Sequence, residues 1–431
     1  MNRFFEERSR KFLGLLTAVL ATVSIAACSE KLEAGKSCPL LCPEQAISLS
    51  DTTIDAIVTD TTVLGLPPIG AEAFLMLASH GDTLDSRAMV RFDTLPQTFT
   101  ARNSIDSSIT VIDSAFLVTP IAKPDSAHRP AGPITIEVYD VDTTATDTVA
   151  SILGSLFRND RFLGSRTFRP ESLTDTLQIP ISTDTVLDRV LNGKKLRVGY
   201  RLVTPTGRGY DIRIGSTQGT AAVSLRIKAS LDTAATAVVV SPLSNTPLNQ
   251  SFLAGPLADF TIVLKGLTSS PATVLAVGGV PSRRSLLRFD VPSHIIDSTT
   301  IVRASLILTQ LPNRRIDPRD SIFVFPNAIL AGPTVTNAGS ALGFIGTNGQ
   351  FGLDSLLIAP GDSGQKSFEI VGLVRTWKGN PTTTSPRAIA LRSGLEGQAP
   401  GEIDFFSTKA AAALRPRLRI TYVPQTSFGI P

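Results

Sequence analysis

Arg284-Ser285-Leu286-Leu287-Arg288-Phe289-Asp290-Val291-Pro292 restates an earlier stretch, Ser86-Arg87-Ala88-Met89-Val90-Arg91-Phe92-Asp93-Thr94-Leu95-Pro96, with the two Arg-Phe-Asp triplets 197 positions apart. Three further parallels follow in the same order. Val111–Leu117 (VIDSAFL) answers Ile301–Ile307 (IVRASLI), and Ile134–Tyr139 (ITIEVY) answers Asp320–Phe325 (DSIFVF). Ser216-Thr217 with Ser224–Ile227 (SLRI) answers Ser407-Thr408 with Arg417–Ile420 (RLRI). Matches that keep their order, and drift in offset only where loops would differ, indicate a duplicated domain.

The repeated segments alternate apolar and polar residues, are rich in Val, Ile, Thr and Phe, and are separated by turn formers, which predicts short antiparallel strands. Arg417 and Arg419 fall on one face of such a strand and Leu418 and Ile420 on the other, so the charges face outward. By the same period Phe92 and Phe289 point into a core, while the flanking Arg and Asp point away and pair with neighbours. The expected fold class is all-β: two tandem antiparallel β-sandwich domains, jelly-roll-like, after a signal peptide and a short tether. The boundaries read as 1–27 signal peptide, 28–50 tether, 51–240 first and more divergent sandwich, and 250–425 second sandwich, with the turn-rich Ser241–Asn249 as linker.

A chain of 431 residues has length enough for two buried cores, and 42% hydrophobic against 18% charged residues excludes bulk disorder. The formal charge of +4 falls to +2 once residues 1–27 are removed, and no dense Lys/Arg run occurs, so nucleic acid is excluded as a partner. The removed part has a basic head, Met1–Lys11, and an apolar stretch, Phe12–Ala27, shorter than the ~18 to 20 residues of a membrane-spanning helix. It ends in Ile25-Ala26-Ala27-Cys28, which resembles the lipobox of bacterial lipoproteins. That resemblance implies a diacylglycerol on the Cys28 thiol, with Ser29 directing an exported protein to the outer membrane, on its periplasmic or cell-surface side. Cys38 and Cys42 are the other two cysteines, and two readings stand: a local disulfide or a pair of free thiols.

The second copy carries more than the triplet. Leu275-Ala276-Val277-Gly278-Gly279, Arg284–Asp290, Ala304–Leu308, Trp377-Lys378-Gly379-Asn380 with Ile389-Ala390-Leu391, and Phe406-Ser407-Thr408 with Arg415–Leu418 occur in that order. Over about residues 255–423 the chain resembles the disaggregatase-related DNRLRE domain, a β-sandwich module counted among carbohydrate-binding modules. The resemblance implies a sandwich fold and polysaccharide contact. No ligand residue carries over, because the matched positions are fold determinants.

His80, His128 and His294 stand in no ligand-spaced cluster, and Gly361-Asp362-Ser363-Gly364 has the composition of a plain turn. Asp140, Asp142 and Asp147 are spaced as calcium ligands sometimes are, yet Asp-Thr pairs recur at 51–52, 60–61, 82–83 and 184–185, the pattern of solvated turns. No cofactor is expected beyond the covalent lipid. Trp377 is the candidate sugar platform, and Arg415, Arg417 and Arg419 are candidate contacts for an acidic glycan, competing with core packing for the ring and a solvated face for the arginines. The expected function is a non-enzymatic, surface-anchored binding or structural module, with membrane through its lipid, polysaccharide or envelope proteins as partners. The alternatives are an exported polysaccharide-active enzyme, lyase or hydrolase, and a subunit of an envelope assembly.

Overall fold

The computed structural model describes residues 49–101, 105–125, 128–143, 148–205, 209–229, 235–244, 257–268, 270–329, 353–379 and 387–424. The expected signal peptide, Cys28, Cys38 and Cys42 lie outside them. Nearly every element is a strand. The chain begins with β1 (Ser50–Ile54), β2 (Ile57–Leu66), β3 (Phe74–His80), β4 (Leu84–Phe92), β5 (Thr98–Thr100) and β6 (Asp106–Ser108). Then come β7 (Ser114–Pro120), β8 (Ile134–Asp140), helix α1 (Ala150–Gly154), β9 (Phe162–Phe168), β10 (Thr176–Pro180) and α2 (Thr183–Leu191). β11 (Leu196–Val203), β12 (Tyr210–Gly215), β13 (Ser224–Lys228), β14 (Val238–Val240) and β15 (Asp259–Lys265) follow. The remainder is β16 (Val274–Gly278), β17 (Ser282–Phe289), α3 (Ser293–Ile296), β18 (Thr299–Leu311), β19 (Ile322–Ala328) and β20 (Leu356–Ile358). It closes with β21 (Gly364–Glu369), α4 (Val371–Arg375), β22 (Ala388–Ser393), β23 (Glu402–Phe406) and β24 (Arg417–Pro424). No helix among the described residues is long and apolar enough to cross a membrane.

Strand alternation accounts for the outer sheets. In β7 every second residue is buried (Ala115, Leu117, Thr119), and β24 buries Leu418 and Ile420 while Arg419 faces solvent. Two antiparallel sheets make the first sandwich, in the orders β10-β7-β13-β14 and β12-β3-β4-β11-β8-β9, with β15 also on β4. The second repeats this strand for strand: β21-β18-β24-β1 and β23-β16-β17-β22-β19-β20, with β2 on β17. Its two layers join where β18 pairs β23 at Gln310–Phe405; the counterpart in the first sandwich is a single bridge, Ile121–Ile214. Each sandwich has its own core. Phe92, Tyr200 and Leu117 sit in one, and Phe289, Trp377, Phe368 and Phe405 in the other.

The strands that complete each sandwich come from an unexpected part of the chain. β1 pairs β24 and β2 pairs β17, so residues 50–66, adjacent in sequence to the first copy, are hydrogen-bonded into the second. β14 and β15 do the corresponding work in the first, on β13 and β4. The first sandwich is thus continuous from Phe74 to Lys265, whereas the second is closed by the start of the chain. Both closing strands enter beside a splayed hairpin. β3 and β4 pair only near their turn, and further along Met76 N donates to Thr261 Oγ1 of β15 (3.2 Å). In the second sandwich β16 and β17 pair at one position, and Ala276 N donates to Thr62 Oγ1 of β2 (3.2 Å).

The closing strands are pinned by a shared device. Thr217 N donates to Asp259 Oδ2 at 2.7 Å and its hydroxyl to Oδ1 at 2.8 Å; Thr408 treats Asp60 the same way, at 2.6 and 2.9 Å. Such charge-assisted bonds are roughly twice as strong as neutral ones. Here the structure corrects the reading of Asp-Thr pairs as solvated turns. Asp51-Thr52 and Asp60-Thr61 lie in strands and Asp184-Thr185 opens α2, while Asp82-Thr83 does form a turn. In the strands the carboxylates find donors on the facing chain: Arg419 binds Asp51, and Thr408 binds Asp60.

β4 and β17 are buried along nearly their whole length, because their outer faces are covered as well. Met76, Ala78 and Leu84 of the first sandwich pack there with Val280 of the second. Gly278, the last residue of β16, and Gly279 after it have φ of 90° and 84°, a conformation that favours glycine, and a Cβ at Gly278 would lie 2.6 Å from the Gly401 carbonyl oxygen.

Candidate functional site

A cleft of about 530 Å³ opens at one end of the second sandwich. Ile54, Asp55 and Val58 come from the β1–β2 corner, Asp290, Val291 and Pro292 from the exit of β17, Ser293 and Ile296 from α3 with Asp297 just after it, and Arg387 precedes β22. Its walls are held by backbone bonds: Asp290 N donates to Ala56 O (2.8 Å), Phe289 N to Arg387 O (2.8 Å), and Asp297 N to Ser293 O (2.7 Å). Asp297 Oδ1 accepts from Gly379 N (3.1 Å), and Arg387 Nη2 donates to the Trp377 carbonyl (3.4 Å). Asp55, Asp290 and Asp297 are exposed, as is Val58. The cleft is therefore acidic, with one guanidinium on its wall and an apolar rim.

Trp377 is not available to a sugar. Its ring has no exposed surface and packs against Phe289 with centroids 5.4 Å apart, so it is a core residue and not a stacking platform. The candidate arginines, Arg415 just before β24 and Arg417 and Arg419 within it, are differently engaged. Arg419 is paired with Asp51 and Arg415 Nε donates to the Ala410 carbonyl (2.8 Å), while Arg417 is half-buried beside them.

Asp140 and Asp142 meet guanidinium groups. Arg189 reaches Asp140 Oδ2 at 2.5 Å and Asp142 Oδ2 at 3.7 Å, Arg197 lies 3.6 Å from Asp142 Oδ1, and Arg161 donates to both backbone carbonyls. Asp147 lies outside the described residues. Two carboxylates neutralised in this way have little charge left for calcium, and among the described residues no group of three or more His, Cys, Asp or Glu is placed to hold a metal. His80 meets Asp211 at 3.1 Å and His128 meets Asp125 at 2.8 Å. Gly361–Gly364 is a turn, with Asp362 paired to Lys366 at 3.2 Å.

The strand period points Arg91 away from the core, and the structure shows that outward face to be covered, so that Arg91 and Arg197 are both buried. Residues around α1 and the start of β15 (Leu153, Leu257, Phe260) cover that face of the first sandwich. Arg91 donates to Ser244 Oγ (2.9 Å) and Leu257 O (3.0 Å), and burial lowers its pKa to about 10. Arg197 Nε meets Asp93 at 3.3 Å, with both side chains at most 4% exposed.

The second sandwich buries two further pairs. Arg284 grips Glu396 with two bonds of 2.6 and 2.7 Å, and Arg283 binds Glu402. Burial raises Glu402 to about 7 despite Arg283, and raises its neighbour Asp404 to about 6, with Asn313 Nδ2 donating to both. These pairs leave no signature in the sequence, whereas the pinned closing strands do, in Asp60-Thr61-Thr62 and Asp259-Phe260-Thr261, an Asp-x-Thr pattern whose two copies lie 199 positions apart.

Glu72, in the loop between β2 and β3, is 5% exposed and accepts from Gly70 N at 2.8 Å. Burial raises it from 4.5 to about 7, and the nearby Asp259 adds to the rise. A raised folded-state pKa means that the native form holds the proton, so this contribution is complete below pH 4.5 and is lost as the pH climbs through about 7. Glu72→Gln should therefore match the parent near pH 4.5 and exceed it by about 3 kcal/mol at pH 8. Urea unfolding of both proteins at the two pH values checks this, and an equal gain at both would contradict it.

No family model matches the chain, and no curated protein does. Among solved structures, a candidate secreted protein of Parabacteroides distasonis aligns over 86% of this chain and 99% of its own, at 9% identity and a TM-score of 0.23. The Macrobrachium rosenbergii nodavirus aligns over 90% of this chain and 92% of its own, at 10% identity and a TM-score of 0.16. Scores this low say nothing of function.

Proposed function

We propose that the chain is a non-enzymatic binding or structural module, exported and held at the outer membrane by a lipid on Cys28. The observation that supports this reading most is the route of the chain after the expected tether. Residue 50 enters β1, and β1 and β2 are paired along their lengths with β24 and β17. A pull on the tether would be resisted by many lateral hydrogen bonds at once, which suits a body that stands on a surface and holds a partner. Polysaccharide contact remains part of the reading through the resemblance to DNRLRE modules, without Trp377, whose ring is buried.

A second reading, an exported polysaccharide-active enzyme, draws on Glu402 and Asp404, two carboxyls that burial holds near neutrality. They are only 2% and 8% exposed, which leaves a polymer no approach.

Two measurements test the proposal. Cells fed labelled palmitate should label the protein, and Cys28→Ala should abolish the label; an unlabelled parent protein removes the anchor from the account. Purified protein offered a polysaccharide panel should leave every glycan intact, and cleavage of any one would transfer the case to the enzyme.

A further inference from the structure

The two sandwiches present the same carboxylate in different settings. In the first, Asp93 follows Arg91-Phe92, and its carboxylate is closed in against Arg197 Nε at 3.3 Å. Arg197 stands opposite Arg91 in the β4–β11 register, two residues from Asp93 along one face. In the second, Asp290 follows Arg288-Phe289, and the residue opposite Arg288 is Ala388. The guanidinium is missing from the equivalent place. The backbone bond beside it is kept: Asp93 N donates to Leu243 O, and Asp290 N to Ala56 O. That match aligns Asp55 with Pro242, so the second copy has lost a cation and gained a carboxylate.

The consequence is the acidic cleft. Among the described residues no side chain or backbone group donates to the Asp290 carboxylate, and this residue is exposed on a space of about 530 Å³. Asp55 and Asp297 share the rim, and Arg387 on the wall donates to the Trp377 carbonyl. Ile54, Val58 and Pro292 provide apolar surface beside the charges, suited to the methylene stem of a long basic side chain.

We propose that this cleft receives an arginine side chain of a partner protein, whose guanidinium takes the place that Arg197 fills in the first sandwich. Arginine suits the site better than lysine. Its planar fork can engage two carboxylates while its stem lies on the apolar rim, whereas an ammonium offers a compact, strongly hydrated charge. The inference names the partner chemistry within the binding-module reading and does not depend on the lipid on Cys28, so a failure of the palmitate experiment leaves it standing.

The test is calorimetric titration of the full-length chain in detergent with an acetylated, amidated Gly-Arg-Gly peptide, and with its lysine and citrulline counterparts. The arginine peptide should bind in about the millimolar range, with both counterparts at least about tenfold weaker and all binding reduced by salt. Asp290→Asn should abolish binding without changing the melting temperature. Ala388→Arg should block the peptide by supplying the guanidinium from within; if that variant does not fold, Asp55→Asn, expected to weaken binding, replaces it. Absence of binding by the arginine peptide, equal binding of the citrulline peptide, or undiminished binding by Asp290→Asn would each overturn the proposal.

Discussion

A chain permuted so that residues 50–66 follow Pro424 should fold with a melting temperature within about 2 °C of the natural order, whereas a chain lacking residues 50–66 should lose its second sandwich. The first sandwich supplies the template for the new connection. Its β13 reaches β14 through residues 229–237, and Ser50 already lies opposite Tyr422, two residues from the end of β24. Removing residues 50–66 takes Ala56, Ile57 and Leu66 from burial, worth about 2 kcal/mol for each large side chain, and removes Asp60 from Thr408. It also strips β17 of its partner from Ser282 to Phe289, and each orphaned backbone group costs about 1–3 kcal/mol. Together these losses reach the roughly 5–15 kcal/mol that holds a typical domain folded. Hydrogen exchange would show the outcome, with amides of β16 and β17 losing protection while those of β11 and β8 keep it. Unchanged protection in the shortened chain would mean that the first strands do not close the second sandwich.

Glu396→Ala should be among the most damaging single substitutions. The carboxylate accepts two bonds from Arg284, and both side chains are at most 10% exposed, so its removal leaves a buried guanidinium without its counter-charge. Such losses cost about 3–5 kcal/mol. The double replacement Arg284→Met with Glu396→Leu should recover most of that, because the desolvation penalty disappears with the charges. Urea midpoints of the parent, the single and the double variants decide the matter; a single variant within about 1 kcal/mol of the parent would show that water reaches the pair. The Glu72 variant differs in kind, since its effect depends on pH and runs toward greater stability.

These two predictions fall where sequence reading stopped. Alternation was enough to place Leu418 and Ile420 inward, Arg419 outward, and Phe92 and Phe289 in cores, because strand period is a local property of five or six residues. The order of the repeats was equally open to view, since a duplication is written in the chain itself. The burial of Arg91 and Arg197 was not, because whether a second layer covers a strand's outer face depends on residues far away, here near 153 and from 257 to 260. The candidate cleft was half legible. Asp290 stood out in its triplet, but Asp55 and Arg387 join it only through folding.

The one-dimensional pattern is therefore sufficient for an all-strand body built twice, since side-chain period and repeat order do not depend on which strands meet. It carries no address for β1 and β2. Thr62 meets Ser285 across 223 positions, and the choice of that partner over nearer strands is made by the splayed β16–β17 hairpin and by Thr408 waiting for Asp60. The closure of the second sandwich and the meeting of Asp55 with Asp290 follow from that pairing, and the buried ion pairs likewise depend on what lies across a face and not on what lies next in the chain.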